Sequence, residues 1–313
     1  MPETIPDAGR QMTDADTASV TFADLEGLLE ERRLVVERAL EGLTPQGESP
    51  AVRAAVAYSL LSPAKRLRPI LALLVAEILR GDPKSVVPAA CAVEMVHTSS
   101  LILDDLPCMD DAAARRGRPA CHVAHGEATA ILAAFALLNR AFEVLAEGWP
   151  GCPDDAARTA ISRELARAVG LTGMIAGQAA DLAMTDRTID FPTLEFIHSR
   201  KTGALFIAAA ALGAQAAGAQ ADERAAVAAY AKNLGLAFQI VDDVIDVTGR
   251  VEDAGKDVGK DLKKVTFVSF AGVEGARQLA GELVLASREA LAGFGPRAKP
   301  LLDLASYVVA RRR

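Results

Sequence analysis

Ala204-Leu205-Phe206-Ile207-Ala208-Ala209-Ala210-Ala211-Leu212-Gly213-Ala214-Gln215-Ala216-Ala217 is the stretch on which the fold turns. Alanine and leucine are strong helix formers, because they lose little side-chain freedom in a helix. Gln215 is its only polar side chain. A helix apolar around nearly its whole circumference has no face to offer water, so it belongs in the middle of a large bundle. Ala128–Ala146 reads the same way. Turn signals fall outward from these runs at Thr44–Pro50, Gly81-Asp82-Pro83, Gly117-Arg118-Pro119, Gly148–Pro153, Gly249–Gly259 and Gly293–Pro300. The segments between them read as helix after helix, without alternating strands, internal repeats or a dividing linker. The expected architecture is all-α: a single-domain helical bundle over residues 21–313, preceded by a flexible N-terminal arm over 1–20.

The bulk composition narrows the function. The chain has 313 residues, 51% of them hydrophobic and only 4% aromatic, with a net charge of -7. That charge argues against a general nucleic-acid binder, so an anionic ligand must be held by local basic clusters and metal ions. No apolar stretch of about twenty residues is free of charge, so no membrane span is expected. The opening MPETIPDAGRQMTDAD has neither the basic-then-apolar build of a signal peptide nor an arginine bias, which points to a cytoplasmic protein. Cys91, Cys108, Cys121 and Cys152 show no paired spacing and read as reduced thiols.

Two acidic clusters carry the chemistry. Leu101-Ile102-Leu103-Asp104-Asp105-Leu106-Pro107-Cys108-Met109-Asp110-Asp111 places four carboxylates after an apolar helical stretch. At about 100° per residue Asp104 and Asp111 share a face of a regular helix. Pro107 should kink or bulge that helix and change the register, so either Asp110 or Asp111 can face Asp104. Phe238-Gln239-Ile240-Val241-Asp242-Asp243-Val244-Ile245-Asp246-Val247 repeats the arrangement, with Asp242 and Asp246 four apart on one helical face. A single cluster reads equally well as a solvated helix end. Two of them, each on an apolar helix, are hard to explain as surface decoration, because buried carboxylates are costly unless they meet a cation or a donor. Hard oxygen ligands in sets of two or three suit Mg²⁺ bridging to phosphate.

The basic clusters supply the complement. Lys65-Arg66-Leu67-Arg68-Pro69 opens an apolar helix, Arg115-Arg116-Gly117-Arg118 follows the first aspartates, and Lys201-Thr202-Gly203 opens the helix quoted above. Arginine forks and helix starts both suit oxyanions. Lys256 and Lys260 lie in the glycine-rich loop after the second cluster, where they could close over a phosphate.

The ordered set KRLRP at Lys65–Pro69, DDLPCMD at Asp104–Asp110 with RRG at Arg115–Gly117, GQAAD at Gly177–Asp181, KTG at Lys201–Gly203 and QIVDDVID at Gln239–Asp246 resembles the trans-isoprenyl diphosphate synthases. The similarity runs from about Val52 onward and is greatest to the short-chain branch, the geranylgeranyl and farnesyl diphosphate synthases. The resemblance implies a helical bundle with a deep central cavity, a homodimer, and three Mg²⁺ ions per site. It implies that Asp104, Asp105 and Asp110 form one metal-binding motif, and Asp242, Asp243 and Asp246 the other. By the same likeness Lys65, Arg68, His97 and Arg116 hold isopentenyl diphosphate, while Arg115, Lys201, Thr202, Gln239 and Lys256 surround the allylic diphosphate. This sequence departs from the family at Pro63-Ala64 (usually a glycine pair), at Leu103 (often histidine), and at Phe135 (often small or aspartate). Its loop after Lys256 is about two residues shorter than in close relatives, leaving the counterpart of Lys263 or Lys264 open.

The mechanism so implied is ionisation of the allylic diphosphate, attack by isopentenyl diphosphate on the cation, and loss of a proton. Ser99 lies about 7–8 Å below Asp104 along the helix. Ser99 and Ser100 are both small and do not block a growing tail at that level, which favours a twenty-carbon product over fifteen. Met95, Val96 or Cys91 can form the floor deeper down. The alternatives are a farnesyl diphosphate synthase, or a non-catalytic helical subunit of a prenyl synthase complex. A class I terpene cyclase would not need KRLRP. Cys121, His122 and His125 suggest zinc only weakly, for want of a fourth ligand.

Overall fold

The computed structural model describes residues 22–152, 154–185, 187–248 and 265–311. The arm at 1–20 and Lys256, Lys260, Lys263 and Lys264 lie outside the described residues. The described helices are α1 Ala23–Leu43, α2 Pro50–Leu60, α3 Leu67–Ile78, α4 Val87–Asp104, α5 Cys121–His125, α6 Glu127–Glu147, α7 Asp155–Val169, α8 Met174–Ala183, α9 Phe191–His198, α10 Ala204–Ala216, α11 Ala221–Thr248, α12 Phe267–Ala290 (interrupted at Gly272) and α13 Lys299–Ala310. Many starts are written in the sequence. Ser49 accepts from the Val52 N–H with Pro50 at the first turn, Asp154 accepts from Ala157 and Asp190 from Thr193. Thr266 and Ser269 form a reciprocal capping box.

The centre is built from α3, α4 and α10. Leu71 to Ala76 are fully buried on every side of α3, as are Ala89 to Val93 along α4 and Ala208 to Ala210 on α10, apart from slight exposure at Ala208. α10 therefore takes the central place its composition demands, packed on α3, α7 and α11. It approaches α3 closely because position 213 is glycine; a Cβ there would lie 2.3 Å from the Ala72 carbonyl oxygen.

α6 does not follow the expectation for Ala128–Ala146. Ala130, Ala133, Ala134, Leu137 and Ala141 pack inward, chiefly on α4, but Leu132 and Phe135 are 55% and 60% exposed. Its apolar circumference serves two faces, and one is outside the fold. The helices spanning Pro83–Asp104 and Glu127–Glu147 are long and apolar enough to cross a membrane; the first is mostly buried in the bundle. Among the described residues the all-helical plan has one small exception. Ala114–Arg115 pairs antiparallel with Arg118–Pro119 around Arg116 and Gly117, both at positive φ (55° and 72°), the backbone that a two-residue hairpin requires.

Candidate active site

The first acidic cluster sits where α4 stops. Asp104 is its last residue, and Pro107 ends the helix instead of kinking it, since proline has no N–H to continue the ladder. The chain then doubles back: the Asp110 N–H donates to the Asp104 carbonyl at 2.9 Å and the Ala112 N–H to the Asp105 carbonyl at 3.1 Å. This return brings the Asp110 charge to bear on Asp104, whereas Asp111 is exposed at φ +46°. Burial pushes the Asp104 carboxyl up to about 6, with Lys201 opposing and Asp110 reinforcing the shift. Asp105 differs from its neighbour. It is buried, and the Arg115 guanidinium donates to both of its oxygens, Nε at 3.0 and 3.2 Å, with Nη2 also on Oδ1.

The second cluster lies on the continuous helix α11, with Asp242 and Asp246 one turn apart as the spacing requires. Asp243 points about 100° away. It is buried, accepting from Gln239 Nε2 at 2.9 Å and from the Phe267 N–H at the start of α12 at 3.1 Å. Burial still pushes it up to about 7, against those two bonds. The second carboxylate of each pair thus meets donors of the protein itself, Asp105 through Arg115 and Asp243 through Gln239 and the Phe267 N–H. The sequence reading treats Asp105 and Asp243 as equal to their neighbours, and in the second pair both carboxylates meet protein donors, Asp242 from Arg311 and Asp243 from Gln239 and Phe267.

The KTG motif joins the two clusters. Ser199–Gly203 is one π-helical turn running into α10. Lys201 Nζ lies 2.7 Å from Asp181 Oδ2 on α8, and its charge also reaches Asp104. Thr202 Oγ1 donates to Gln239 Oε1 at 2.9 Å, and Gln239 in turn holds Asp243. α8 comes this close because of Gly177: a Cβ there would stand 2.2 Å from the Lys201 nitrogen.

A cationic wall faces the same interior. Arg68 Nη1 is 3.1 Å from His97 Nε2 on α4, and its guanidinium lies 4.8 Å from the Phe206 ring centre on α10. Asp242 bears favourably on the Arg68 charge. Burial lowers Arg68 to about 10. His97 is held well below its ordinary value by burial first and then by Arg68, Arg116, Arg115 and Arg66, so it is neutral near pH 7. Arg116 Nη1 reaches Ser62 Oγ at 3.2 Å. Lys65 is exposed at the edge of the same loop. Ser99 is buried and donates to the Ala134 carbonyl of α6 at 2.8 Å; Ser100, partly exposed, bonds the His97 carbonyl.

Sequence reasoning missed three parts. Arg311, at the end of α13, puts Nη2 2.7 Å from Asp242 Oδ1 and 3.0 Å from the Phe238 carbonyl, with its guanidinium 3.9 Å from the Phe238 ring centre. Nothing local announces that contact, because α13 places it. Glu94 is buried on α4 and accepts from Arg66 Nη1 at 2.8 Å. Its signal was legible: a lone carboxylate in an apolar helix needs a partner. Gly177 was quoted within a motif, but its reason is spatial. Cys121, His122 and His125 lie on the short helix α5, and among the described residues no three His, Cys, Asp or Glu side chains converge as a metal cage.

The pattern of the Polyprenyl synthetase family matches residues 49–285. The chain is 45% identical over 284 residues to geranylgeranyl pyrophosphate synthase 3, chloroplastic, of Arabidopsis thaliana, covering 88% of this chain and 78% of that one. It is 43% identical over 288 residues to the geranylgeranyl diphosphate synthase of Cyanophora paradoxa, covering 90% and 95%. Its fold is similar to that of the FPP/GFPP synthase of Zymomonas mobilis, with a TM-score of 0.82, 35% identity, and coverage of 93% of this chain and 100% of that one. The geranyltransferase of Legionella pneumophila is also similar, with a TM-score of 0.82 and 31% identity over 93% and 98% of the two chains. The chain belongs to the polyprenyl synthetase family, and it is a transferase of prenyl groups.

Proposed function

We propose that this enzyme condenses isopentenyl diphosphate with an allylic diphosphate and releases geranylgeranyl diphosphate. The observation that carries the reading is the meeting of both aspartate clusters, through Lys201, Thr202 and Gln239, beside the wall of Arg68, His97 and Arg116. The twenty-carbon product draws support from the relatives' names and from the small residues Ser99 and Ser100.

The donor set fits Mg²⁺: Asp104, Asp110, Asp242 and Asp246 offer hard oxygens, and the raised pKa of buried Asp104 reflects a charge that a cation would relieve. Mg²⁺ usually keeps waters and shares substrate phosphates, so these few carboxylates suffice. When bound it supplies positive charge that stabilises the departing diphosphate. The protein's own residues do the rest. Lys201, Thr202 and Gln239 orient the allylic diphosphate, and Arg115 holds Asp105 beneath it. Lys65, Arg68, neutral His97 and Arg116 orient the second diphosphate. The apolar interior keeps water from the allylic cation while the double bond attacks, and the released diphosphate takes up the proton that leaves.

We further propose a homodimer through α6, whose outward Leu132 and Phe135 form an apolar face that needs cover. The activity is tested by incubation with labelled isopentenyl diphosphate, Mg²⁺ and primers of five, ten and fifteen carbons, followed by chromatography. A twenty-carbon product supports the assignment. A fifteen-carbon product assigns farnesyl diphosphate synthase, and no product from the purified chain assigns a non-catalytic subunit.

A further inference from the structure

Glu94 has no part in the chemistry above, yet it lies at the centre of the cationic wall. It is buried on α4, one turn before His97. Arg66 is its direct partner, at 2.8 Å, and that guanidinium also donates to the Leu60 and Ser62 carbonyls at 2.7 and 2.8 Å. One side chain thus ties the end of α2, the loop that follows it and α4 together. Arg66 does this from a left-handed backbone, φ +50°, at the N-cap of α3. Its neighbours in sequence are Lys65 and, two residues on, Arg68. Ser62, held by Arg66 through its carbonyl, receives Arg116 through its hydroxyl. The Glu94 charge also bears favourably on both Arg68 and Arg116.

A buried ion pair adds little stability over an apolar pair of the same shape. Here it fixes a strained turn, and strain of this kind persists where surrounding contacts over-determine it. Several guanidiniums that share one interior anion can stay gathered before any diphosphate arrives.

We propose that Glu94 and Arg66 are positioning residues: the pair acts as a resident anion and staple that holds Lys65, Arg68 and Arg116 in register for the isopentenyl diphosphate. This rests on the assignment of those three residues to that substrate, and an Arg68→Ala control separates the two ideas.

The test measures isopentenyl diphosphate binding by calorimetry, its KM and kcat at saturating Mg²⁺ and allylic substrate, and the melting temperature. The variants are Glu94→Gln, Glu94→Asp, Arg66→Gly (which accepts φ +50° without strain) and Arg68→Ala. The expected result is a KM and Kd for isopentenyl diphosphate raised about 10- to 100-fold in Glu94→Gln and Arg66→Gly. The kcat and the allylic KM stay within about threefold, and Glu94→Asp recovers most of the affinity, since it restores the charge. If Arg68→Ala raises the KM while folded Glu94→Gln does not, the inference is overturned and the substrate assignment stands. If Arg68→Ala leaves the KM unchanged, the assignment itself fails and takes the inference with it. Equal losses for both substrates, or failure of both Glu94→Gln and Arg66→Gly to fold, make the pair core support and overturn its positioning role.

Discussion

Arg311 Nη2 lies 2.7 Å from Asp242 Oδ1, so a guanidinium from α13 occupies the carboxylate that opens the second acidic cluster. Little of the Arg311 side chain is exposed, and Asp242 is about a quarter exposed. A divalent ion that takes Asp242 must displace or share this partner. Arg311→Ala should therefore tighten substrate-free Mg²⁺ binding about three- to tenfold in calorimetric titration. It should also lower metal-free stability by about 1–3 kcal/mol, the usual scale for a charged hydrogen bond lost at a part-buried site. Unchanged Mg²⁺ affinity would show that the contact is incidental.

Gly177 sets the distance between α8 and the Lys201 turn. Gly177→Ala places a methyl group 2.2 Å from the Lys201 nitrogen, and backbone cannot yield as a flexible side chain can. The expected cost is about 1–3 kcal/mol of stability. The prenyl-transfer rate should fall by about 100-fold, because Lys201 shifts away from Asp104 and Asp181. A melting curve and a turnover assay on the same sample read both effects.

His97 gives the pH dependence a sign. Its folded-state pKa is depressed, so the unfolded chain takes up a proton below 6.5 while the folded chain does not. Its contribution to stability is present above 6.5 and is lost as the pH falls, by up to about 1.4 kcal/mol per pH unit. His97→Gln should flatten that part of the decline below pH 6.5 in thermal melts. An equally steep decline in the variant would place the acid sensitivity elsewhere.

Much of this was legible in the sequence, and the rest was not for identifiable reasons. The ordered motifs gave the two clusters and the three basic segments, because each is local in sequence and sets charge beside apolar helical sequence. Composition placed α10 correctly but misplaced α6, whose Leu132 and Phe135 stay exposed, since an apolar circumference does not say where in the fold a helix sits. Periodicity left Asp110 and Asp111 open, and the choice came from backbone bonds that fold the turn behind Pro107 onto Asp104. The partners of Asp242, Glu94 and Gly177 sit 69, 28 and 24 residues away in sequence, where no spacing rule reaches.

The outward face of α6 yields a prediction about assembly. Phe135→Asp puts a charge in the middle of the apolar patch beside Leu132. Sedimentation should show a dimer for the parent protein and a monomer for the variant at micromolar concentration. A parent that sediments as a monomer would leave the patch to some other use.

The central claim is that the two acidic clusters grip one diphosphate together. A double-mutant cycle on turnover with Asp104→Asn and Asp242→Asn tests it most directly. Each single change should cost at least about 100-fold in kcat, and the pair should cost little more than the worse single, because both remove the same grip. Near-normal turnover in either single variant, or losses that multiply in full, would contradict it.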